Sequence, residues 1–259
     1  TGAYAVNKDL LYLGVSGDGD SASIGIGQLI HAIRRNMDMV YIVENNGVYG
    51  LTKGQYSATA DVGSKKKKGK INTTQPIDLA ALAINLGCTF VARSFSGSKK
   101  QLTSLIKAAM SHKGFALIDV ISPCVTFNNN DESMRSYGYV KENEITLHMA
   151  DYIPHFNPVE EVEVPEGHFR DIELHDGSTI RLETISDEHD PSNAVAALTA
   201  LHEAETDQKH VTGLLYFDNT KPALAEDLGL VDTPLIDVPA DSLRPSKAIL
   251  DQLNAALLG

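Results

Sequence analysis

The apolar run Leu10-Leu11-Tyr12-Leu13-Gly14-Val15-Ser16 ends on Gly17-Asp18-Gly19-Asp20, and the β-branched run from Met39 to Glu44 ends on Asn45-Asn46. Glycines on either side of an acid let a backbone approach phosphate closely, while the acid itself holds a hard cation. Asn46 follows Asp18 by about one helix and one strand, which returns it to the same edge of a parallel sheet. Two oxygen ligands then meet beside a ring of backbone N–H groups, a site suited to Mg²⁺ carrying a diphosphate. Mg²⁺ takes near-octahedral oxygens. Asp18 and the Asn46 amide supply two, the Val48 carbonyl is placed to supply a third, and two diphosphate oxygens with a water complete the shell.

The rest of the first half repeats the same alternation. Residues 10–16 predict a buried parallel strand. Ile24, Ile26, Leu29, Ile30 and Ile33 recur at helical spacing over 22–35, with Arg34 and Arg35 in the last turn, where cations suit the helix dipole. A long Gly/Ser/Thr/Lys-rich loop runs from Asn46 to Gln75, and loops of that length are usually functional. A helix is expected from Pro76 to Leu86 with Gly87 as its stop, then a strand at Thr89–Arg93, a helix at Lys99–His112 and a strand at Ala116–Ser122. The pattern predicts an α/β fold, a parallel sheet with helices on both faces, with functional loops at the C-terminal strand ends near Gly17, Asn45 and Ser122. After about residue 130 the character changes. Val162–Thr184 alternates polar and apolar around Asp176-Gly177 and predicts a β-hairpin. A helix at Pro191–Glu205, a strand at Val211–Phe217 and a terminal helix at Arg244–Leu258 follow. The expected organisation is a cofactor-binding α/β domain over 1–130 and a mixed α+β C-terminal extension over 131–259 that contacts another subunit.

Composition narrows the function classes. The net charge of −12 argues against nucleic acid as a partner. No apolar run reaches the roughly 18–20 residues of a membrane span, and no signal peptide opens the chain, so a cytoplasmic setting is expected. Neither Cys88 nor Cys124 lies in a Cys-x-x-Cys pair, so the chain alone encodes no complete metal site. Thr1–Asn7 reads as the tail of an amphipathic helix, which leads us to expect that further sequence precedes Thr1.

Gly-Asp-Gly, a helix-plus-strand spacer and Asn-Asn together form the thiamine diphosphate-binding motif. The stretches Ser16–Asn36 and Asn45–Thr59 resemble the β subunit of 2-oxoacid:ferredoxin oxidoreductases, most closely the 2-oxoglutarate branch, through His31-x-x-Arg34-Arg35-Asn36 and Tyr49-Gly50-Leu51-Thr52-Lys53-Gly54-Gln55. The likeness covers residues 1–130 well and the remainder loosely. It implies that Asp18, Asn46 and the Val48 carbonyl hold Mg²⁺, and that the backbone of Gly17, Asp18, Gly19 and Asp20 and the Gly50-Leu51-Thr52 turn hold the thiamine diphosphate. It also implies an α (or fused α/γ) subunit, which supplies the groups that activate the aminopyrimidine, in an (αβ)₂ assembly. The implied reaction takes 2-oxoglutarate and CoA to succinyl-CoA and CO₂ and reduces ferredoxin through a [4Fe–4S] cluster. In that family a Cys after this strand is the last of four [4Fe–4S] ligands, which implies that role for Cys124 and a Cys-x-x-Cys pair upstream of Thr1. A pyruvate-specific or broad oxidoreductase, a non-redox thiamine diphosphate decarboxylase or synthase, and a non-catalytic nucleotide-binding subunit stand as alternatives.

Other residues have two readings each. Lys53, where pyruvate-specific relatives tend to have Gly, is an exposed loop lysine or the cation that binds the distal carboxylate of 2-oxoglutarate. Cys88 reads as core. His31 reads as packing or interface more readily than as a catalyst, and Arg34 and Arg35 face a partner or cap their helix. Lys65–Lys68 with Lys70 is a solvated loop, or a docking site for an acidic ferredoxin or the phosphates of CoA.

Overall fold

The structure, a computed structural model, describes residues 1–64, 71–156, 169–184 and 189–258. In chain order it places α1 (Gly2–Val6), β1 (Leu13–Gly17), a π-helical turn (Gly19–Ile24), α2 (Ile26–Arg34), β2 (Met39–Asn45), β3 (Val48–Tyr49) and β4 (Gln55–Tyr56). Then come α3 (Leu79–Asn85), β5 (Phe90–Phe95), α4 (Lys99–Ser111), β6 (Phe115–Ile121), α5 (Tyr137–Asn143), β7 (Glu144–Thr146) and β8 (His148–Ile153). The remainder holds β9 (Phe169–Glu173), β10 (Thr179–Thr184), α6 (Ala194–Thr206), β11 (His210–Phe217), α7 (Leu224–Asp227) and α8 (Lys247–Leu258).

The main sheet has the order β1-β2-β6-β5-β11-β7. Its pairings are parallel except β11 with β5, which is antiparallel. Strands β7 and β11 come from beyond residue 130, so the sheet runs across that point of the chain. Helices cover both faces. On one, Leu29 and Ile33 of α2, Leu79 and Ala83 of α3 and Leu201 of α6 bury against Val43, Val91 and Leu117. On the other, Leu105, Ala108 and Ala109 of α4 bury against Val40, Ala92 and Ile118. Ala150 and Leu182, from the three-stranded antiparallel sheet β8-β10-β9, join that second core. Strands β2, β5, β6 and β11 thus divide their residues between two cores with period two, as strands covered on both sides require.

Several expectations need correction. Of the 10–16 run only the part from Leu13 enters β1, parallel to β2, and β1 is the edge strand of the described sheet and is not buried: Leu13 and Val15 are 55% and 58% exposed. An apolar run signals a strand without saying how many neighbours cover it. The helix expected from residue 22 is a π-turn to Ile24 followed by α2 from Ile26, which leaves Ile24 exposed. Pro76 does not open α3. Asp78 caps that helix, its carboxylate accepting the Ala81 N–H at 2.9 Å. Helix α5 and strands β7 and β8, formed by residues with little periodicity, have no counterpart in the sequence expectations. The hairpin around Asp176-Gly177 is present as β9–β10. The Lys65–Lys70 run and the first part of that hairpin lie outside the described residues. Among the described residues no helix is long and apolar enough to cross a membrane.

Candidate active site

The C-terminal ends of β1, β2 and β6 lie side by side, with Gly17 opposite Glu44 and Asn45 opposite Ile121. Asp18 leaves β1 at this edge and is almost fully buried, at 1% exposed. Its Oδ1 accepts the Asn46 N–H at 3.3 Å. Its Oδ2 accepts the Gly47 N–H at 3.1 Å, the Thr59 hydroxyl at 2.5 Å and the Ser57 hydroxyl. One carboxylate therefore ties the Gly17–Asp20 turn to the Asn45–Gly47 loop and to the Ser57–Thr59 segment.

The turn is held by its glycines. A Cβ on Gly19 would lie 2.4 Å from the Tyr49 ring, and the Tyr49 hydroxyl donates to the Gly19 carbonyl at 3.1 Å. The π-turn closes through the Gly25 N–H on the Asp20 carbonyl at 2.6 Å, and a Cβ on Gly25 would lie 2.8 Å from that same oxygen. Single π-turns cluster at functional sites, where they re-aim the backbone. Gly47 has a φ of 75°, the left-handed region that glycine enters without strain.

Asn45 ends β2 and Asn46 lies just past it, and their side chains bond to different partners. The Asn46 amide oxygen accepts the Val48 N–H at 2.9 Å, and its carbonyl accepts Asn128 Nδ2 at 2.7 Å. Asn45 continues the inward face set by Val43, and Asp119 and Arg93 do the same above Leu117 and Val91. The apolar core thus ends in a polar layer at the top of β2, β6 and β5. There Asn45 Nδ2 donates to Asp119 at 2.9 Å, and Arg93 Nε donates to Asp119 at 2.8 Å. Arg93 Nη2 reaches Asp78 at 2.7 Å. Burial raises the Asp78 carboxyl, but pairing with Arg93 outweighs it and holds the group below its ordinary range.

Arg135 closes this layer from the loop before α5. Its guanidinium makes a two-pronged pair with Asp61 at 2.9 and 3.0 Å, donates to the Thr59 carbonyl at 2.6 Å and to Asn45 Oδ1 at 2.7 Å. Burial works against its charge, and Asp61 more than offsets that, so its pKa is raised. The layer floors a cavity of about 610 Å³ bounded across the gap by α6 and His210. Burial and the neighbouring Arg135 keep His210 below its usual pKa.

The loop after β6 folds against the β3–β4 turn. A Cβ on Gly50 would lie 3.6 Å from Cys124 Sγ, and one on Gly54 would lie 3.0 Å from the Phe127 ring. Cys124 is half-buried, whereas Cys88 is fully buried with its thiol on the carbonyls of Phe90 and Phe115. Burial pushes the Cys88 thiol up to about 12, leaving it unsuited to ligation. Leu51, Thr52 and Lys53 stand exposed at the tip of the turn. Lys53 has a φ of 80°, a strained position for a non-glycine residue. His31 and Arg34 are exposed and paired with each other at 3.1 Å, away from these contacts.

The structure thus joins Asp18 to the Asn46 loop and Cys124 to the Gly50 turn, both separated in sequence. Ser57, Thr59, Asp61, Asp119 and Arg135 escaped sequence reading. The only signal for the first three was the polar, Gly-rich character of the 46–75 loop. The oxygens fit a hard cation. Asp18 Oδ1 carries one of the four contacts on that carboxylate, and Asn46 Oδ1 accepts one N–H, so each retains a lone pair for Mg²⁺.

Residues 1–120 match the family of the thiamine pyrophosphate enzyme C-terminal TPP-binding domain. The mostly parallel sheet with helices on both faces is consistent with the fold of thiamine pyrophosphate-binding domains. A 2-oxoacid:ferredoxin oxidoreductase subunit beta from Sulfolobus sp is 44% identical over 167 residues, covering 64% of this chain and 52% of that protein. The 2-oxoglutarate oxidoreductase subunit KorB of Mycobacterium tuberculosis is 39% identical over 140 residues, covering 53% of this chain and 38% of that one. Among solved structures, a 2-oxoglutarate:ferredoxin oxidoreductase from Magnetococcus marinus, with 2-oxoglutarate, coenzyme A and succinyl-CoA bound, aligns with a TM-score of 0.64 at 29% identity, over 88% of this chain and 63% of that one. Over the matched residues the chain is similar to the β subunits of 2-oxoacid:ferredoxin oxidoreductases. It spans about half the length of the curated relatives it matches.

Proposed function

We propose that this chain carries the thiamine diphosphate and Mg²⁺ site of a 2-oxoacid:ferredoxin oxidoreductase β subunit. The proposed reaction is 2-oxoglutarate + CoA + two oxidised ferredoxins to succinyl-CoA + CO₂ + two reduced ferredoxins, in an assembly with an α subunit. The observation that carries this reading is the buried Asp18 carboxylate, which binds the Gly17–Asp20 turn to the Asn46 loop. Asp18, Asn46 and the Val48 carbonyl would hold the metal. The backbone of Gly17–Asp20 and of Gly50–Thr52 would hold the diphosphate. The bound cofactor supplies the electron sink for decarboxylating a 2-oxo acid.

The chain's own residues position the reactants. Tyr49 locks the Gly19 carbonyl and so the shape of the turn. Lys53 binds the distal carboxylate of 2-oxoglutarate from the exposed tip of the same loop. Cys124 is the thiolate this chain offers to a [4Fe–4S] cluster, a role supported by its place against Gly50. The remaining cluster ligands would come from sequence beyond this chain. A broader 2-oxo acid range is the second reading, supported by the unspecific substrate in the Sulfolobus relative's name.

The test is anaerobic reduction of a viologen dye by the complete complex. CoA-dependent reduction faster with 2-oxoglutarate than with pyruvate is expected, and Asp18→Ala should abolish it together with thiamine diphosphate binding. A cofactor-loaded wild-type complex that reduces dye with neither acid would refute the reaction, and one that favours pyruvate would refute the substrate.

A further inference from the structure

We propose that Arg135 is a positioning residue for Asp18, acting through Asn45 and a single hydroxyl proton on Thr59. The inference rests on the metal-binding reading of Asp18 above. Among the described residues the Arg135 guanidinium hydrogen-bonds to Asp61, Asn45 and Thr59 rather than to Asp18 or Asn46, yet it ends a continuous buried chain that reaches Asp18.

The argument is one of proton supply. Thr59 Oγ1 has one proton and three oxygens around it: Asp18 Oδ2 at 2.5 Å, Asn45 Oδ1 at 2.9 Å and Ser57 Oγ at 3.1 Å. It can satisfy one. Asn45 is buried, its Nδ2 is committed to Asp119 at 2.9 Å, and its Oδ1 needs a donor of its own. Arg135 Nη1 supplies that donor at 2.7 Å. With Asn45 satisfied, the Thr59 proton goes to the charged oxygen of Asp18, where a hydrogen bond is stronger. Arg135 also grips the Thr59 carbonyl at 2.6 Å, which fixes the residue that carries the hydroxyl, and Asp61 holds the guanidinium from behind. Asp18 Oδ2 then stays saturated by protein donors, and Oδ1 is the oxygen presented to a metal.

The role also separates the two asparagines. Asn46 faces the cation site, and Asn45 faces the sheet and passes on the state of Arg135. Removing the fork leaves Asn45 Oδ1 in competition with Asp18 for one proton, and Asp18 Oδ2 can lose one of its three donors. Partners one bond removed from a metal ligand typically cost 10–100-fold in metal affinity when altered.

The experiment measures the apparent Mg²⁺ dissociation constant for thiamine diphosphate loading of the complete complex, by calorimetry across a Mg²⁺ series, alongside Tm. Arg135→Lys keeps the charge and loses the fork, and Thr59→Val removes the proton at nearly constant volume. Thr59→Val, one bond from Asp18, should weaken Mg²⁺ by 10–100-fold, Arg135→Lys should weaken it by less, and the double variant should be no worse than about Thr59→Val alone. Leu182→Ala, in the opposite core, serves as a matched loss of stability and should leave the Mg²⁺ constant unchanged. Where Arg135→Lys does not fold, Asp61→Asn, which frees the guanidinium, should weaken Mg²⁺ in the same way. A Mg²⁺ constant at the wild-type value in folded Arg135→Lys or Asp61→Asn, or additive losses in the double variant, overturns the proposal. A wild-type complex that binds no thiamine diphosphate with Mg²⁺ overturns instead the reading of Asp18 on which it rests.

Discussion

Acid should destabilise this fold well above the carboxylate range, and His112 is where the effect can be isolated. The residue ends α4, is 3% exposed, and packs between the rings of Phe90 and Phe217 with His175 at 5.0 Å. Thr89 Oγ1 gives its proton to Asn36 at 2.9 Å, so it accepts from His112 Nε2 at 2.8 Å. The neutral ring therefore carries its proton on Nε2. Nδ1 has no partner among the described residues, and a proton placed there would have no acceptor. Burial, aided by His175, pushes the His112 pKa down to about 3. In the unfolded chain it returns to 6.5. A depressed histidine stabilises the fold above its unfolded pKa, and that contribution is lost as pH falls below 6.5 toward 3, because only the unfolded state takes up the proton. Linkage gives a loss of about 1.4 kcal/mol at pH 5.5, against about 0.1 kcal/mol at pH 7.5. His148, also pushed to about 3 by burial and by the nearby His189, adds a similar amount, for about 3 kcal/mol in all. The assay is equilibrium urea unfolding followed by circular dichroism at pH 7.5, 6.5 and 5.5, for wild type and His112→Gln. Gln keeps an N–H for Thr89 and cannot titrate. The variant should lose less stability than wild type between pH 7.5 and 5.5, by about 1.3 kcal/mol. Parallel curves would refute the reasoning, because His112 would then bind its proton equally in both states.

Two further outcomes probe the site directly. Gly19→Ala places a Cβ 2.4 Å from the Tyr49 ring, so roughly 1–3 kcal/mol of stability should be lost, read by urea unfolding, and a change under about 0.5 kcal/mol would show that the turn is not held as described. Lys53→Gly removes a side chain from a φ of 80°, so stability should hold or rise by up to ~1 kcal/mol while the preference for 2-oxoglutarate over pyruvate falls; retained preference would remove Lys53 from substrate recognition.

The Gly17–Asp20 turn, the Asn45-Asn46 strand end and the alternation of strands and helices were legible in the amino-acid sequence because each depends on residues a few positions apart. Glycine permits a close turn wherever it stands, and apolar spacing of two or four reports a local period. The same local reasoning placed Cys88 in the core and assigned the Asp176-Gly177 hairpin.

Position within the sheet was not legible. The run that became β1 has the composition of a central strand, but the number of strands beside it is settled by the order β1-β2-β6-β5-β11-β7. Nor was the supporting shell of Asp18. Thr59 and Arg135 look like ordinary loop residues, and Asp119 like a polar interruption in an apolar strand. Their meaning arises where β2, β5 and β6 end together and the loops carrying Ser57–Asp61 and Arg135 close over them. The local pattern therefore determined which residue would carry a charge at the strand edge. Tertiary structure alone decided which protons and counter-charges surround it, because hydrogen-bond partners are set by distance in space.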